Sequence, residues 1–168
     1  MCIRDRYDIE QILKDEGFEI YTASVGPVSS NWDRAIELFY QIKGGQVDYG
    51  KIHSEKYGLI QKPEGKKYKG LYPSWNQDNP IHLIGHSMGG QTVRMLDYLL
   101  RTSIADSSQE VEKSELLGMT NNGWIKSITS ISTPHNGTTL TDIMTTGIPF
   151  LQDFIALAAV VGLSLIHI

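Results

Sequence analysis

Ile81-His82-Leu83-Ile84-Gly85-His86-Ser87-Met88-Gly89-Gly90 is the stretch on which the fold turns. A short aliphatic run leads into G-x-S-x-G, and Gln91–Arg101 continues with a helical period. Strand, sharp turn and helix in that order are what a nucleophile elbow requires. Glycines two before and two after the serine leave room for strand and helix to approach where a Cβ would clash. The turn is expected to hold Ser87 at φ > 0, its hydroxyl pushed out above a helix N-terminus. Backbone N–H groups there, that of Met88 first, can stabilise an oxyanion. The chemistry this predicts is acyl transfer through a serine nucleophile. A bare G-x-S-x-G arises by chance in roughly one chain of this length in twenty, and the flanking strand and helix narrow that chance. The competing reading is a glycine-rich turn with a surface serine.

Outward from the elbow the elements alternate. The helix after it is expected to bury Val93, Leu96, Leu99 and Leu100. Thr102–Gly123 reads as a polar connection with one short helix around Glu110–Leu117. Ile125–Ile131 reads as a strand running into Thr133-Pro134-His135-Asn136-Gly137. On the other side, Asp8–Glu16 places Ile9, Ile12 and Leu13 on one helical face, stopped by Gly17. Phe18–Val25, β-branched and aromatic, reads as a strand ending at Gly26-Pro27. Ser29–Lys43 reads as a helix with a Trp32, Ile36, Phe39 and Ile42 stripe, capped by Ser30 with Asp33 and ended by Gly44-Gly45. Gln46–Pro80 is long, lacks period, and reads as an insertion at about 46–80 lying over the surface. The β-α-β-α-β order predicts an α/β chain, a parallel sheet with helices on both faces. Ile148–Gly162 is apolar almost all round but interrupted by Asp153. It is shorter than the ~20 residues a membrane span needs, so no transmembrane span is expected.

The 168 residues carry 15 Lys and Arg against 19 Asp and Glu, a net charge of −4. That argues against nucleic acid, or an anionic membrane, as the main partner. The one cysteine, Cys2, falls in a terminal stretch of a different kind. The DNA element ATGTGTATAAGAGACAG translates as Met1-Cys2-Ile3-Arg4-Asp5, with Arg6 completing its last codon. Its reverse complement translates as Leu163-Ser164-Leu165-Ile166-His167 and opens the codon of Ile168. The element resembles a transposase end used in sequencing libraries. Residues 1–6 and 163–168 are therefore expected to be adapter read-through, leaving 7–162 as an internal piece of a longer protein.

The blocks ASVGPVSSNWDRAIELF (Ala23–Phe39), KGGQVDYGKIHSEKYG (Lys43–Gly58), HLIGHSMGGQTVRML (His82–Leu96) and SISTPHNGTTL (Ser130–Leu140) resemble the secreted lipases of Gram-positive bacteria, the staphylococcal and thermophilic Bacillus-type triacylglycerol lipases. The resemblance implies an α/β-hydrolase fold, of which 7–162 is the central part, with a lid region starting at about 139–162. It implies triacylglycerol or other carboxylic-ester substrates met at an oil–water interface, and a secreted parent. Ser87 takes the nucleophile's place and Met88 one oxyanion-hole position, and no cofactor is required for the chemistry. The second oxyanion donor would precede Tyr7, and the triad acid and histidine would follow the chain, so the chain by itself is expected to be inactive.

The titratable residues present fit other roles. Asp97 lies ten residues along the same helix, about 15 Å from Ser87, and Asp106 lies in the polar connection. His135 is a candidate base, against its reading as part of a structural turn. His86 reads as an elbow residue, His82 as a strand histidine hydrogen-bonded within the fold, and Asp142 and Asp153 as helix-start or solvated acids. Two other functions stay open: a non-catalytic hydrolase-like domain with a structural elbow, and a serine hydrolase acting on thioesters or peptides. The resemblance also implies a zinc site of two aspartates and two histidines. Asp33 and His53 match two of its positions, whereas Leu59 stands at the second histidine, with Glu55 and Glu64 the nearest substitutes. Zinc is expected to bind weakly or not at all, and calcium only through residues outside this chain.

Overall fold

The computed structural model describes residues 9–27, 29–103, 114, 116–117 and 121–137. The chain divides into two compact units, Ile9–Thr133 and Met1–Asp8 with Pro134–Ile168. In the second unit the described residues form a turn, closed by the Gly137 N–H on the Pro134 carbonyl at 3.2 Å. The expected helices at Glu110–Leu117 and Ile148–Gly162 fall wholly or largely outside the described residues. Of the former, Leu116 and Leu117 are described and fully buried.

Helix α1 (Ile9–Asp15) ends where Gly17 turns at φ +88°. Its apolar stripe meets no core: none of its residues is buried, and Ile9 is 68% exposed. Residues 18–26 are not the strand predicted for Phe18–Val25. A strand needs a neighbouring ladder, and here a side chain replaces it. The Gln41 carboxamide accepts from the Ser24 N–H at 3.0 Å and donates to the Ser24 carbonyl. One backbone unit is satisfied in this way, and no ladder is propagated.

Helix α2 (Asn31–Lys43) forms as its caps dictate. Ser30 Oγ accepts from the Asp33 N–H at 3.1 Å, and the Gly44 N–H closes onto the Tyr40 carbonyl at 2.8 Å. Its buried surface is wider than the predicted stripe and includes Arg34, Ala35, Glu37, Leu38 and Tyr40. One side packs on the helix that follows the elbow, and another meets the chain beyond Gly44.

That next segment is more ordered than a surface insertion. Strand β1 (Gly45–Gln46) pairs antiparallel with β2 (Lys67–Tyr68), and helix α3 (Lys51–Tyr57) lies between them. Val47, Tyr49 and Trp75 enter the core, and Trp75 Nε1 donates to the Trp124 carbonyl at 2.8 Å. A buried carboxylate pins the segment to α2. Glu37 accepts from Lys66 Nζ at 2.5 Å, the Tyr49 hydroxyl at 2.7 Å and the Gly26 N–H at 3.0 Å. Burial alone would raise the Glu37 pKa, but these donors outweigh it and hold the carboxyl below its ordinary value. Burial, with Glu37 adding to it, pushes the Tyr49 phenol up to about 12. The segment's two ends touch. A Cβ on Gly44 would stand 2.9 Å from the Lys69 carbonyl oxygen, and one on Gly70 2.8 Å from that of Lys43.

Strand β3 (Ile81–His86), helix α4 (Met88–Arg101) and strand β4 (Ile125–Ile131) complete a parallel pair with its crossover helix. Val93, Leu96, Leu99 and Leu100 of α4 are buried as predicted, each contributing about 1.5–3 kcal/mol. Helices were predicted on both faces of the sheet. Among the described residues α4 covers the face of Leu83 and Gly85, while His82, Ile84, His86 and Ile131 are exposed on the other side. The architecture is α/β.

Candidate active site

Ser87 joins β3 to α4 at φ 53°, ψ −124°, the positive-φ conformation predicted for it. Two backbone bonds hold the turn: the Ser87 N–H donates to the Ile131 carbonyl at 2.9 Å, and the Gly90 N–H to the Ser87 carbonyl at 3.2 Å. The Ser87 side chain makes no capping bond to the helix it precedes. Its hydroxyl therefore does not occupy the first-turn N–H groups, the donors an anion would use.

The glycines divide differently from the motif. A Cβ on Gly85 would lie 2.5 Å from the Gly89 carbonyl carbon and oxygen, so β3 and the first turn of α4 touch backbone to backbone. A Cβ on Gly89 would meet nothing within 4 Å, so the glycine two after the serine is not needed for close approach. The tight contact belongs instead to Gly90, whose Cβ would fall 2.0 Å from Thr133 Oγ1. Thr133 follows Ser132, which also has positive φ, at 49°. Both adjacent strands thus end in a left-handed serine, and the second turn braces the first. Sequence reasoning missed Ser132 and Thr133, and the one available signal was the extra glycine at Gly90.

Beneath the elbow lies a buried cation. Arg34 on α2 is buried, its Nη1 donates to Met88 Sδ at 3.5 Å, and its Nε has no partner. Burial lowers the Arg34 pKa while nearby Glu37 opposes the shift. A guanidinium stays charged through such a change.

The other candidates are placed as follows. Asp97 pairs with Arg101 at 2.7 Å along one helix face. His82 Nδ1 lies 2.7 Å from Ser127 Oγ across the strand pair. His86 is the last, exposed residue of β3, and His135 is exposed in the turn of the second unit. Asp106, Asp142 and Asp153 lie outside the described residues.

Asp33 and His53, twenty residues apart, do come together: His53 Nε2 is 3.1 Å from Asp33 Oδ1. The His53 ring stacks on Trp32 at 4.8 Å and 11°, with Tyr57 at 4.8 Å from it. Leu59 offers no donor atom, and Glu55 and Glu64 are exposed. Among the described residues no group of three or more His, Cys, Asp or Glu gathers. Asp33 and His53 are two donors, and a tetrahedral zinc takes four, so the residues gathered here do not complete such a site. No helix among the described residues is long and apolar enough to cross a membrane.

Residues 3–162 match the family described as lipase-like, C-terminal domain. Lipase 1 of Staphylococcus aureus is 44% identical over 144 residues, covering 83% of this chain and 21% of the relative. The chain thus spans about a fifth of the length of the curated relatives it matches. Among solved structures, Staphylococcus hyicus lipase superposes with TM-score 0.75 at 40% identity, covering 90% of this chain and 41% of that one. EstA from Clostridium botulinum gives TM-score 0.71 at 45% identity, covering 82% of this chain and 32% of that one.

Proposed function

This chain belongs to the lipase-like C-terminal domain family, and from that premise we propose that its parent hydrolyses carboxylic esters of lipids with Ser87 as nucleophile. The observation that carries the proposal is the Ser87 backbone, held at φ 53° between strand and helix. A left-handed conformation is costly for serine and persists where the surroundings enforce it. Gly85, Gly90 and Thr133 enforce it here.

In the proposed mechanism Ser87 Oγ attacks the ester carbonyl and gives up its proton to a base. The carbonyl oxygen becomes an oxyanion facing the Met88 N–H at the start of α4. Collapse expels the alcohol and leaves an acyl-enzyme, which water hydrolyses in turn to free Ser87. The base, its acid and the second oxyanion donor belong to the parent outside residues 7–162, and the domain completes an α/β-hydrolase fold there. The lid region implied at about 139–162 lies outside the described residues. The named relatives are lipases, which supports a lipid substrate, and the sequence resemblance adds an oil–water interface outside the cell. The chemistry needs no cofactor, and zinc binds weakly or not at all.

The test is Ser87→Ala in the parent enzyme. Ester turnover is expected to fall by several orders of magnitude with the circular dichroism spectrum unchanged. Undiminished turnover would eliminate Ser87 as nucleophile and leave the elbow a structural turn.

A further inference from the structure

We propose that the end of α3 and the turn after it, Tyr57-Gly58-Leu59-Ile60, form a surface that inserts into a lipid interface bearing negative charge. The inference rests on the lipid-substrate reading above and names a part of the molecule that meets the lipid.

Three large apolar side chains stand out of the protein within four positions: Tyr57 is 59% exposed, Leu59 40% and Ile60 74%. Single exposed apolar residues are ordinary, but a contiguous group at a loop tip is not. Gly58 takes the left-handed conformation at φ 66° and reverses the chain there. The Leu59 N–H fastens the turn to the Ser54 carbonyl at 2.9 Å.

The surrounding charge selects the partner. Residues 51–62 contain Lys51, Lys56 and Lys62 against Glu55 alone, a positive segment in a chain of net charge −4. Lys56 Nζ lies 5.1 Å from the centre of the Tyr57 ring, and Lys62 keeps a 60% exposed side chain while reaching Asp48 at 3.3 Å. The acidity of the whole chain opposes a general attraction to anionic surfaces, so the attraction is local to this tip. Apolar residues that enter the acyl region, an aromatic ring at headgroup depth and lysines beside the phosphates are what an interfacial segment needs.

The support beneath the tip is stiff. His53 is stacked on Trp32, hydrogen-bonded to Asp33 and in contact with the Tyr57 ring. The apolar side chains are therefore displayed in advance, and little order remains to be imposed on binding.

The experiment uses the parent enzyme with one reactive cysteine, introduced as Ile60→Cys and carrying an environment-sensitive nitrobenzoxadiazole label. Phosphatidylcholine vesicles containing phosphatidylglycerol should blue-shift its emission and raise its intensity several-fold. The same label at Asp78→Cys, on another loop, should change little. Lys51→Gln with Lys56→Gln should weaken the response at position 60 several-fold, as should added salt. An unresponsive label at 60, equal responses at 60 and 78, or equal responses to pure phosphatidylcholine vesicles would each overturn the proposal. Because the readout involves no ester cleavage, its failure is separate from a failure of Ser87 as nucleophile.

Discussion

An alanine at Gly85 would drive its methyl into the backbone of Gly89, and one at Gly90 into the Thr133 side chain, whereas one at Gly89 would enter open space. The backbone at Gly85 has nowhere to retreat, because the Ser87 N–H ties the turn to Ile131. Gly85→Ala is therefore expected to destabilise by about 1–3 kcal/mol or more, and Gly90→Ala by a similar amount unless Thr133 rotates away. Gly89→Ala lies within the first turn of α4 and should be neutral to stabilising by up to about 1 kcal/mol. Thermal melting of the three variants checks the order, and a Gly89→Ala form as unstable as Gly85→Ala would contradict it. At this scale much was legible. The serine, its sign of φ and the glycine before it follow from a strand meeting a helix at one residue. The brace from Ser132 and Thr133 was not legible, because a positive φ at a serine leaves no mark in composition or period.

The elements that announced themselves are those whose burial follows a period. In α4, leucines and a valine repeat along one face; α2 adds caps at both ends. Residues 45–75 lacked that signal because Val47, Tyr49 and Trp75 are buried from irregular backbone. Their attachment to α2 through Glu37 gives a pH prediction. The folded pKa of Glu37 is depressed, so its contribution is complete above the unfolded value and is lost as pH falls through the folded one. Glu37→Gln should cost about 2 kcal/mol at neutral pH, with the gap to the unmutated protein narrowing below pH ~4. Chemical denaturation at several pH values measures it, and a gap independent of pH would contradict it. The other link, between α2 and α3, gives a metal prediction. With Asp33 and His53 the two donors gathered among the described residues and Leu59 donorless, zinc should dialyse out of the parent, and Leu59→His should raise its retention. Stoichiometric zinc in the unmutated protein would mean that another ligand has been recruited.

Among the described residues of Ile9–Thr133 the sheet has an open face. Parallel sheets ordinarily bury both faces, yet Ile84 is 61% exposed and Ile131 48%, on the face away from α4. Among the described residues β3 and β4 pair only with each other, leaving two outer edges able to recruit strands. The purified 168-residue chain is therefore expected to self-associate, read by light scattering, and to show no ester hydrolysis above background. Serine-inhibitor-sensitive turnover of a short-chain ester by a monodisperse sample would overturn both expectations and return His135 to consideration as the base. The α/β order was legible because parallel pairing forces a crossover helix between strands. The bare face was not, since Ile81–Ile84 reads equally as a strand buried on one side or on both.

Gly44 and Gly70 press together at the point where the chain leaves α2 and returns toward β3. Whatever lies between them begins and ends at one place, so its length does not set the spacing of the elements on either side. Closing a longer excursion costs only about 0.6 kcal/mol per doubling of length. Over evolutionary time this is where insertions and deletions should accumulate, and in the laboratory it is a natural pair of splice points. A graft across them has to return a hydroxyl and an ammonium to Glu37 where Tyr49 and Lys66 now stand, and apolar bulk to the core that Val47 and Tyr49 now fill.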